Sequence, residues 1–232
     1  MFVIGHRGAA GHRPENTLAS LRYALTLGVD AVEIDVQMVD GALIVLHDDT
    51  LERTTNGRGH YKSMGLAALR ALDAGAGERV PLLEEVIALT RGQVGLNIEV
   101  KEAGIAAQVV DFVLAATADL PSWRPRILLS SFDVETSAVL ARLRGSMGLG
   151  LLYEEAFAPA LARALLLGAQ SLHMPLRELD SAAVGHAQRL GLEVYVYTVN
   201  TETDIARCRV AGVDGVFSDF PDRVIAAQRD TA

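Results

Sequence analysis

Residues 26–35 read TLGVDAVEID, and the same grammar returns at 166–174 (LLGAQSLHM), 189–197 (RLGLEVYVY) and 210–219 (VAGVDGVFSD). Each stretch is the end of a helix, a glycine stop and then a strand. Gly28, Gly168, Gly191 and Gly212 are expected just past helix C-termini, in the left-handed backbone conformation that glycine adopts without strain. The repetition is one of physics rather than of residue identity, and it marks a chain built from βα units.

Further strand candidates are FVIG (2–5), ALIVLH (42–47), VGLNIEV (94–100), RILLSS (126–131) and MGLGLL (147–152). Helical patterns follow most of them, as with Ile105, Val109, Phe112, Val113 and Ala116. Nine strands result, which is awkward for a closed barrel. Asp40-Gly41, between VEIDVQMV and ALIVLH, is however the strongest short-range signal for a β-hairpin, and a hairpin arm on the second strand leaves eight parallel strands. Eight strands alternating with helices in 232 residues, 50% of them hydrophobic, predict a single (β/α)8 TIM barrel over 1–232. A doubly wound open sheet is the weaker alternative, since no G-x-G-x-x-G fingerprint is present. Residues 50–80, rich in glycine and polar side chains, read as a small capping insertion over the barrel mouth.

With 21 basic against 29 acidic residues the net charge is −8, which disfavours non-specific binding to nucleic acid or to an anionic membrane. No apolar run approaches membrane-spanning length and the first strand starts at the second residue, so the expected location is cytoplasmic. Cys208 is the one cysteine, which excludes an intrachain disulfide, and its spacing from Ile205 suits the apolar face of a helix.

In such a barrel the chemistry lies at the C-terminal ends of the strands. His6 and Arg7 end the first. In AVEIDV, period-two alternation turns Val32, Ile34 and Val36 toward the helices and Glu33 and Asp35 inward. LNIEVK likewise turns Leu96, Ile98 and Val100 outward and Asn97, Glu99 and Lys101 inward. Three ionised carboxylates buried together cost several kcal/mol or more per uncompensated ion. A divalent metal held by Glu33, Asp35 and Glu99 resolves this, and an all-oxygen donor set favours Mg2+ or Ca2+ over zinc. The competing reading is a set of internal ion pairs with Arg7 and Lys101.

His47 closes the hairpin arm in VLHDD. A two-residue Asp40-Gly41 loop pairs it with Ile34 and turns it away from the carboxylates; only a one-residue bulge, or a break in the arm, brings it to them. Two histidines beside a metal suit general acid and base work. Arg7 and Lys101 add positive charge of the kind a reacting phosphoryl group needs. Of the remaining histidines, His12 and His60 fall in loops and His186 in a helix, while His173 is expected near the mouth, within reach of a ligand. Pro14 and Glu15 suit a first helical turn. Ser131, Phe132, Glu154 and Asp219 are read as pocket wall.

HRG and PENT near the start, then E-x-D, DG, HD, NIEVK, SSFD, YTVN and GVDGVFSDFP together resemble the glycerophosphodiester phosphodiesterase family, in its bacterial single-domain form, from His6 to Asp222. The resemblance implies a (β/α)8 barrel that hydrolyses glycerophosphodiesters, the deacylated phospholipids, to an alcohol and sn-glycerol 3-phosphate with a divalent cation. It also implies Glu33, Asp35 and Glu99 as metal ligands, His6 and His47 as the catalytic pair, and Arg7 and Lys101 as phosphate contacts. Tyr197 stands where the family usually has Trp, so the pocket wall is smaller there and gains a hydroxyl. Related barrels act on lysophospholipid or sphingolipid headgroups, and a metal-dependent phosphate-ester binding protein is the non-enzymatic alternative. A glycosidase is disfavoured because Glu33 and Asp35 share one strand and cannot flank a sugar.

Overall fold

The computed structural model describes residues 1–154 and 156–229, so residue 155 and the last three of the expected 1–232 unit lie outside the described residues. The elements run β1 (Phe2–Gly5), α1 (Leu18–Leu27), β2 (Ala31–Val39), β3 (Ala42–Val45), α2 (Leu66–Leu69), α3 (Leu83–Thr90), β4 (Gly95–Val100), α4 (Ala106–Ala116), β5 (Ile127–Ser131), α5 (Val134–Leu143), β6 (Gly148–Leu152), α6 (Phe157–Leu166), β7 (Ser171–Pro175), α7 (Ser181–Arg189), β8 (Glu193–Tyr197), α8 (Glu202–Ala211), β9 (Gly215–Ser218) and α9 (Pro221–Arg229). Sheet order is β1-β9-β8-β7-β6-β5-β4-β2-β3, and the additional β1–β2 pairing closes eight parallel strands into a TIM barrel. Among the described residues no helix is long and apolar enough to cross a membrane.

The helix-glycine-strand grammar is realised at all four sites: Gly28, Gly168, Gly191 and Gly212 have φ of 83°, 60°, 85° and 72°. Outward-facing Val32, Ile34, Val36, Leu96, Ile98 and Val100 join the main core between sheet and helices, as does Cys208 with Ile205 on α8. Inside the barrel, Ile4, Ala31, Tyr195 and Phe217 form a separate plug beneath the mouth.

The hairpin has its two-residue turn, with Asp40 and Gly41 both left-handed (φ 49° and 78°) and Val39 opposite Ala42. There is no bulge. The ladder stops instead: Leu46 N–H donates to the Asp35 carbonyl at 3.0 Å, and the chain then leaves the sheet. Residues after the arm build a small core of their own, in which Leu51, Tyr61, Leu69 and Val80 cover Val39, Ile44 and Leu46.

Two local expectations are corrected. Helix α1 starts at Leu18 with Thr17 as N-cap, its side chain accepting from Ser20 N–H, so Pro14 and Glu15 lie ahead of the helix rather than in its first turn. His173 is the middle residue of five-residue β7, with 0% exposure, and lies in the interior below the mouth. There its Nε2 lies 2.9 Å from Ser171 Oγ, the ring sits over Gly150, and burial alone pulls its pKa down to about 3. A core imidazole this desolvated stays neutral.

The turn after β1 depends on Gly8 (φ 86°), where an added Cβ would fall 2.5 Å from Ser20 Oγ and 2.6 Å from the Ser20 carbonyl carbon. Helix α1 is therefore in backbone contact with the turn, and Ser20 ties the two by donating to the Arg7 carbonyl and accepting from Ala9 N–H. Gly8→Ala is expected to lower stability by about 2–5 kcal/mol, through left-handed strain plus overpacking against α1, seen as a lower denaturant midpoint. An unchanged midpoint would mean that the turn relaxes freely.

Candidate active site

β2 and β4 pair in register, with Glu33 opposite Asn97 and Asp35 opposite Glu99, so the inward residues of two adjacent strands meet. One oxygen from each of Glu33, Asp35 and Glu99 lies within 4.8 Å of the others, and the residues are 2%, 1% and 7% exposed. Their neutralisation is partial. Arg7 N–H donates to Glu33 Oε2 at 2.8 Å, and Arg7 Nε is 3.2 Å from Asp35 Oδ2. Asn16 Nδ2 donates to that same Oδ2, and Lys101 Nζ donates to Glu99 Oε1 at 2.8 Å and lies 3.8 Å from Asp35 Oδ1.

The internal ion pairs considered above therefore exist, yet they leave Glu33 Oε1 buried without a partner. Burial and then the Asp35 charge push the Glu33 carboxyl up to about 8, and the same two causes raise Glu99. A cluster short of positive charge, with an orphaned oxygen and only oxygen donors, fits a hard divalent cation.

The two histidines approach from either side. His6 Nδ1 is 2.7 Å from Asp219 Oδ1, and Asp219 is itself fixed by Asn200, whose Nδ2 donates to Oδ2 and whose Oδ1 accepts from Asp219 N–H. Burial pulls the His6 pKa down, but the Asp219 hydrogen bond and the Glu33 charge outweigh it and leave it raised. His47 Nδ1 is 2.5 Å from Asp48 Oδ1, and its Nε2 is 3.2 Å from Lys101 Nζ. With an ammonium donating to Nε2, the His47 ring carries its proton on Nδ1. Burial lowers its pKa, so the two imidazoles are biased in opposite directions.

His47 reaches this place because the hairpin arm breaks. Gln37, buried on β2, donates from Nε2 to three successive carbonyls, those of Leu46, His47 and Asp48, at 3.0, 3.1 and 3.1 Å. That fork satisfies the backbone after the ladder ends and swings the imidazole toward Lys101.

A cavity of about 760 Å3 opens above these groups. His6, Arg7, Glu33, His47, Glu99, Lys101 and Tyr197 line it, while Asp35 lies just beneath, so all eight candidate residues gather at one strand-end face. No residue of 50–80 lines the cavity; the insertion reaches the site through the bonds of Arg53 to Asp48 and Glu15. Tyr197 is a wall residue, but the hydroxyl gained over Trp donates to the Tyr153 carbonyl and is not offered to a ligand. Phe132 and Glu154 line the cavity as read, whereas Ser131 is a framework residue whose hydroxyl donates to the Val100 carbonyl. Asp219, read as wall, is the partner of His6. Its signal lay in barrel closure, which sets the end of the last strand beside the first.

Sequence reading also missed Glu15, Asp48 and Arg53 as a unit. Arg53 donates from Nε and Nη2 to Asp48 and from Nη1 and Nη2 to Glu15, at 2.6–2.9 Å. Glu15 accepts in turn from Arg7 Nη1 at 2.7 Å, so one guanidinium braces the partners of both Arg7 and His47.

Comparison with known proteins gives a consistent result. The model of the Glycerophosphoryl diester phosphodiesterase family matches residues 6–223. A glycerophosphodiester phosphodiesterase of Caldanaerobacter subterraneus subsp. tengcongensis is 34% identical over 97% of this chain and 96% of its own. Among solved structures, an Oleispira antarctica phosphodiesterase in complex with the product sn-glycerol-3-phosphate superposes with TM-score 0.88 at 33% identity, covering 99% of this chain and 97% of that one. A glycerophosphodiester phosphodiesterase from Agrobacterium tumefaciens gives 0.83 at 28% identity, covering 97% and 99%.

The Arg53 brace has a pH signature. Its hydrogen bonds hold Asp48 well below the usual carboxylate range, and with Arg7 they hold Glu15 low against the opposing effect of burial. A depressed carboxyl contributes stability above its unfolded pKa of ~4 and loses it as pH falls through the folded value. Arg53→Ala is therefore expected to melt below wild type at pH 7, with the gap in Tm narrowing as pH drops below ~4. A gap independent of pH would show that Arg53 acts by packing alone.

Proposed function

Because this chain belongs to the glycerophosphoryl diester phosphodiesterase family, we propose that it hydrolyses glycerophosphodiesters to an alcohol and sn-glycerol 3-phosphate. The observation that supports this most is the gathering, on one cavity, of a buried three-carboxylate cluster, two carboxylate-tethered imidazoles and two cations. The Oleispira relative, which holds sn-glycerol-3-phosphate as product, argues for the same chemistry here. A net charge of −8 favours a free, water-soluble substrate over a nucleic acid or an anionic membrane.

Glu33, Asp35 and Glu99 would hold a divalent cation, Mg2+ or Ca2+, which when bound supplies Lewis-acid polarisation of a phosphoryl oxygen. Arg7 and Lys101 draw the phosphodiester charge in beside it and neutralise its other oxygens as the P–O bond to the alcohol breaks. One imidazole takes the proton of the attacking hydroxyl, from water or from the neighbouring glycerol oxygen, and the other gives a proton to the departing alkoxide; where the glycerol oxygen attacks, water then opens the cyclic phosphate to glycerol 3-phosphate with the same pair moving the protons. Asp219 and Asp48 fix the ring orientations and tautomers that this exchange requires.

Glycerol 3-phosphate release from glycerophosphocholine and glycerophosphoethanolamine, followed in a coupled assay, is expected with Mg2+ or Ca2+ and to be abolished by EDTA. His6→Ala and His47→Ala are each expected to lower kcat by roughly two or more orders of magnitude, with metal affinity nearly intact. Near-normal turnover in either variant removes that histidine from the mechanism, and release that EDTA leaves untouched removes the metal.

A further inference from the structure

The side of the cavity opposite His6 is built by β6 and the start of the segment leading into α6, and two of its polar groups are unsatisfied. In barrel order β6 stands across from β1, with β2, β4 and β5 on one side and β7, β8 and β9 on the other. Arg163, on α6, lines the cavity together with Pro159 one turn before it. Side chains on a helix lean toward its N-terminus, which here is the mouth end, so a long arginine reaches back to the opening. Its Nε is buried without a partner, and the guanidinium makes no hydrogen bond or ion pair among the described residues. Tyr153 lines the same wall, is 3% exposed, and its Oη is likewise buried without a partner.

The cations of the carboxylate side each have a carboxylate: Arg7 has Asp35 and Glu15, Arg53 has Glu15 and Asp48, and Lys101 has Glu99, while Arg177 donates to the Glu154 carbonyl. A guanidinium Nε–H and a phenol hydroxyl, each desolvated without a partner on one cavity, are costly unless an acceptor arrives. Glycerol brings only neutral hydroxyls, whereas a carboxylate matches the planar fork of arginine and carries the opposite charge. Building on the hydrolase reading above, we propose that Arg163 and Tyr153 form a subsite for a carboxylate on the leaving alcohol, so that the enzyme prefers glycerophosphodiesters of a carboxylate-bearing alcohol.

The opposite preference, for a cationic alcohol such as choline, has two features on its side, Glu154 and the aromatic rings of the wall. Glu154 is solvent-exposed, so its charge is screened. Of the rings, Phe132 already has the Lys101 ammonium 5.6 Å from its centroid, and the edge-on contact with Tyr197 occupies it further. The buried, unpartnered Arg163 Nε and Tyr153 Oη are the stronger demand.

Glycerophosphoserine and glycerophosphoethanolamine differ by one carboxylate and isolate its effect. Wild-type enzyme is expected to favour the serine diester in kcat/KM. Arg163→Met, which keeps the apolar stem, and Tyr153→Phe should each lower kcat/KM for that diester, about tenfold or more for Arg163→Met, while ethanolamine diester turnover changes little. Equal losses on both substrates, or none on either, overturn the subsite. Binding of O-phosphoserine against O-phosphoethanolamine reads the same discrimination without turnover. If wild-type protein hydrolyses neither diester yet binds O-phosphoserine better, and Arg163→Met abolishes the difference, the hydrolase reading falls and the subsite stands. If binding shows no difference either, both fall.

Discussion

Three carboxylates with oxygens inside 4.8 Å of one another, almost wholly removed from water, set the terms for everything around them. Repulsion at that separation in a low-dielectric interior is large, and no packing term in a barrel offsets it. The surrounding groups act to contain it: the backbone N–H and guanidinium of Arg7, the amide of Asn16 and the ammonium of Lys101 are all aimed at the cluster. Arg7, which Glu15 shares, and Lys101 fall short of three carboxylate charges, and burial with the Asp35 charge raises the Glu33 carboxyl accordingly. Under the proposed function, a divalent cation makes up that deficit.

Holding that arrangement takes residues far apart in the chain, and the barrel supplies the short routes. Closure of β1 onto β9 brings Asp219 to His6 across 213 residues. The hairpin arm returns His47 to β2, and its abrupt end, stabilised by the forked Gln37 amide, turns the ring inward. Arg53, from the segment after the arm, then bonds to Glu15 and Asp48 together, so the side chains of Arg7 and His47 are positioned by one shared brace. Such bidentate pairs resist the rotamer freedom that leaves single exposed pairs near zero in net contribution.

What could be read from residues alone followed from periodicity and backbone chemistry. Alternation in AVEIDV and LNIEVK decides which side chains enter the barrel, because a one-residue error would bury the charges against the helices. Glycine after each helix end decides where strands resume. The misreadings have a different origin. His173 sits on an inward-facing position as alternation requires, but its depth depends on where β7 begins relative to its neighbours, which sequence spacing does not encode. Asp219 has no local sign of its tie to His6. The exit of His47 from the ladder depends on a glutamine ten positions earlier whose side chain must cross to the partner strand.

Both halves of the cavity keep buried polar atoms without partners, and they differ in how their charged groups are held. On the β1–β2–β4 side the imidazoles, Arg7 and Lys101 have partners at 2.5–3.2 Å, which fix their geometry before any ligand arrives, while Arg7 Nε, Glu33 Oε1 and Asn97 Oδ1 stay buried without a hydrogen bond. Preorganised charge of this kind accelerates a reaction because none of it must reorient as the transition state forms. On the β6–α6 side Arg163 and Tyr153 keep unspent hydrogen-bonding capacity. Groups that bind part of the substrate remote from the reacting phosphorus gain by being unsatisfied beforehand, since each bond made there is gained on binding rather than exchanged for an internal one. Under the proposed function and subsite, a substitution at Arg163 or Tyr153 that alters the alcohol accepted leaves the carboxylates, imidazoles and cations of the opposite rim in place.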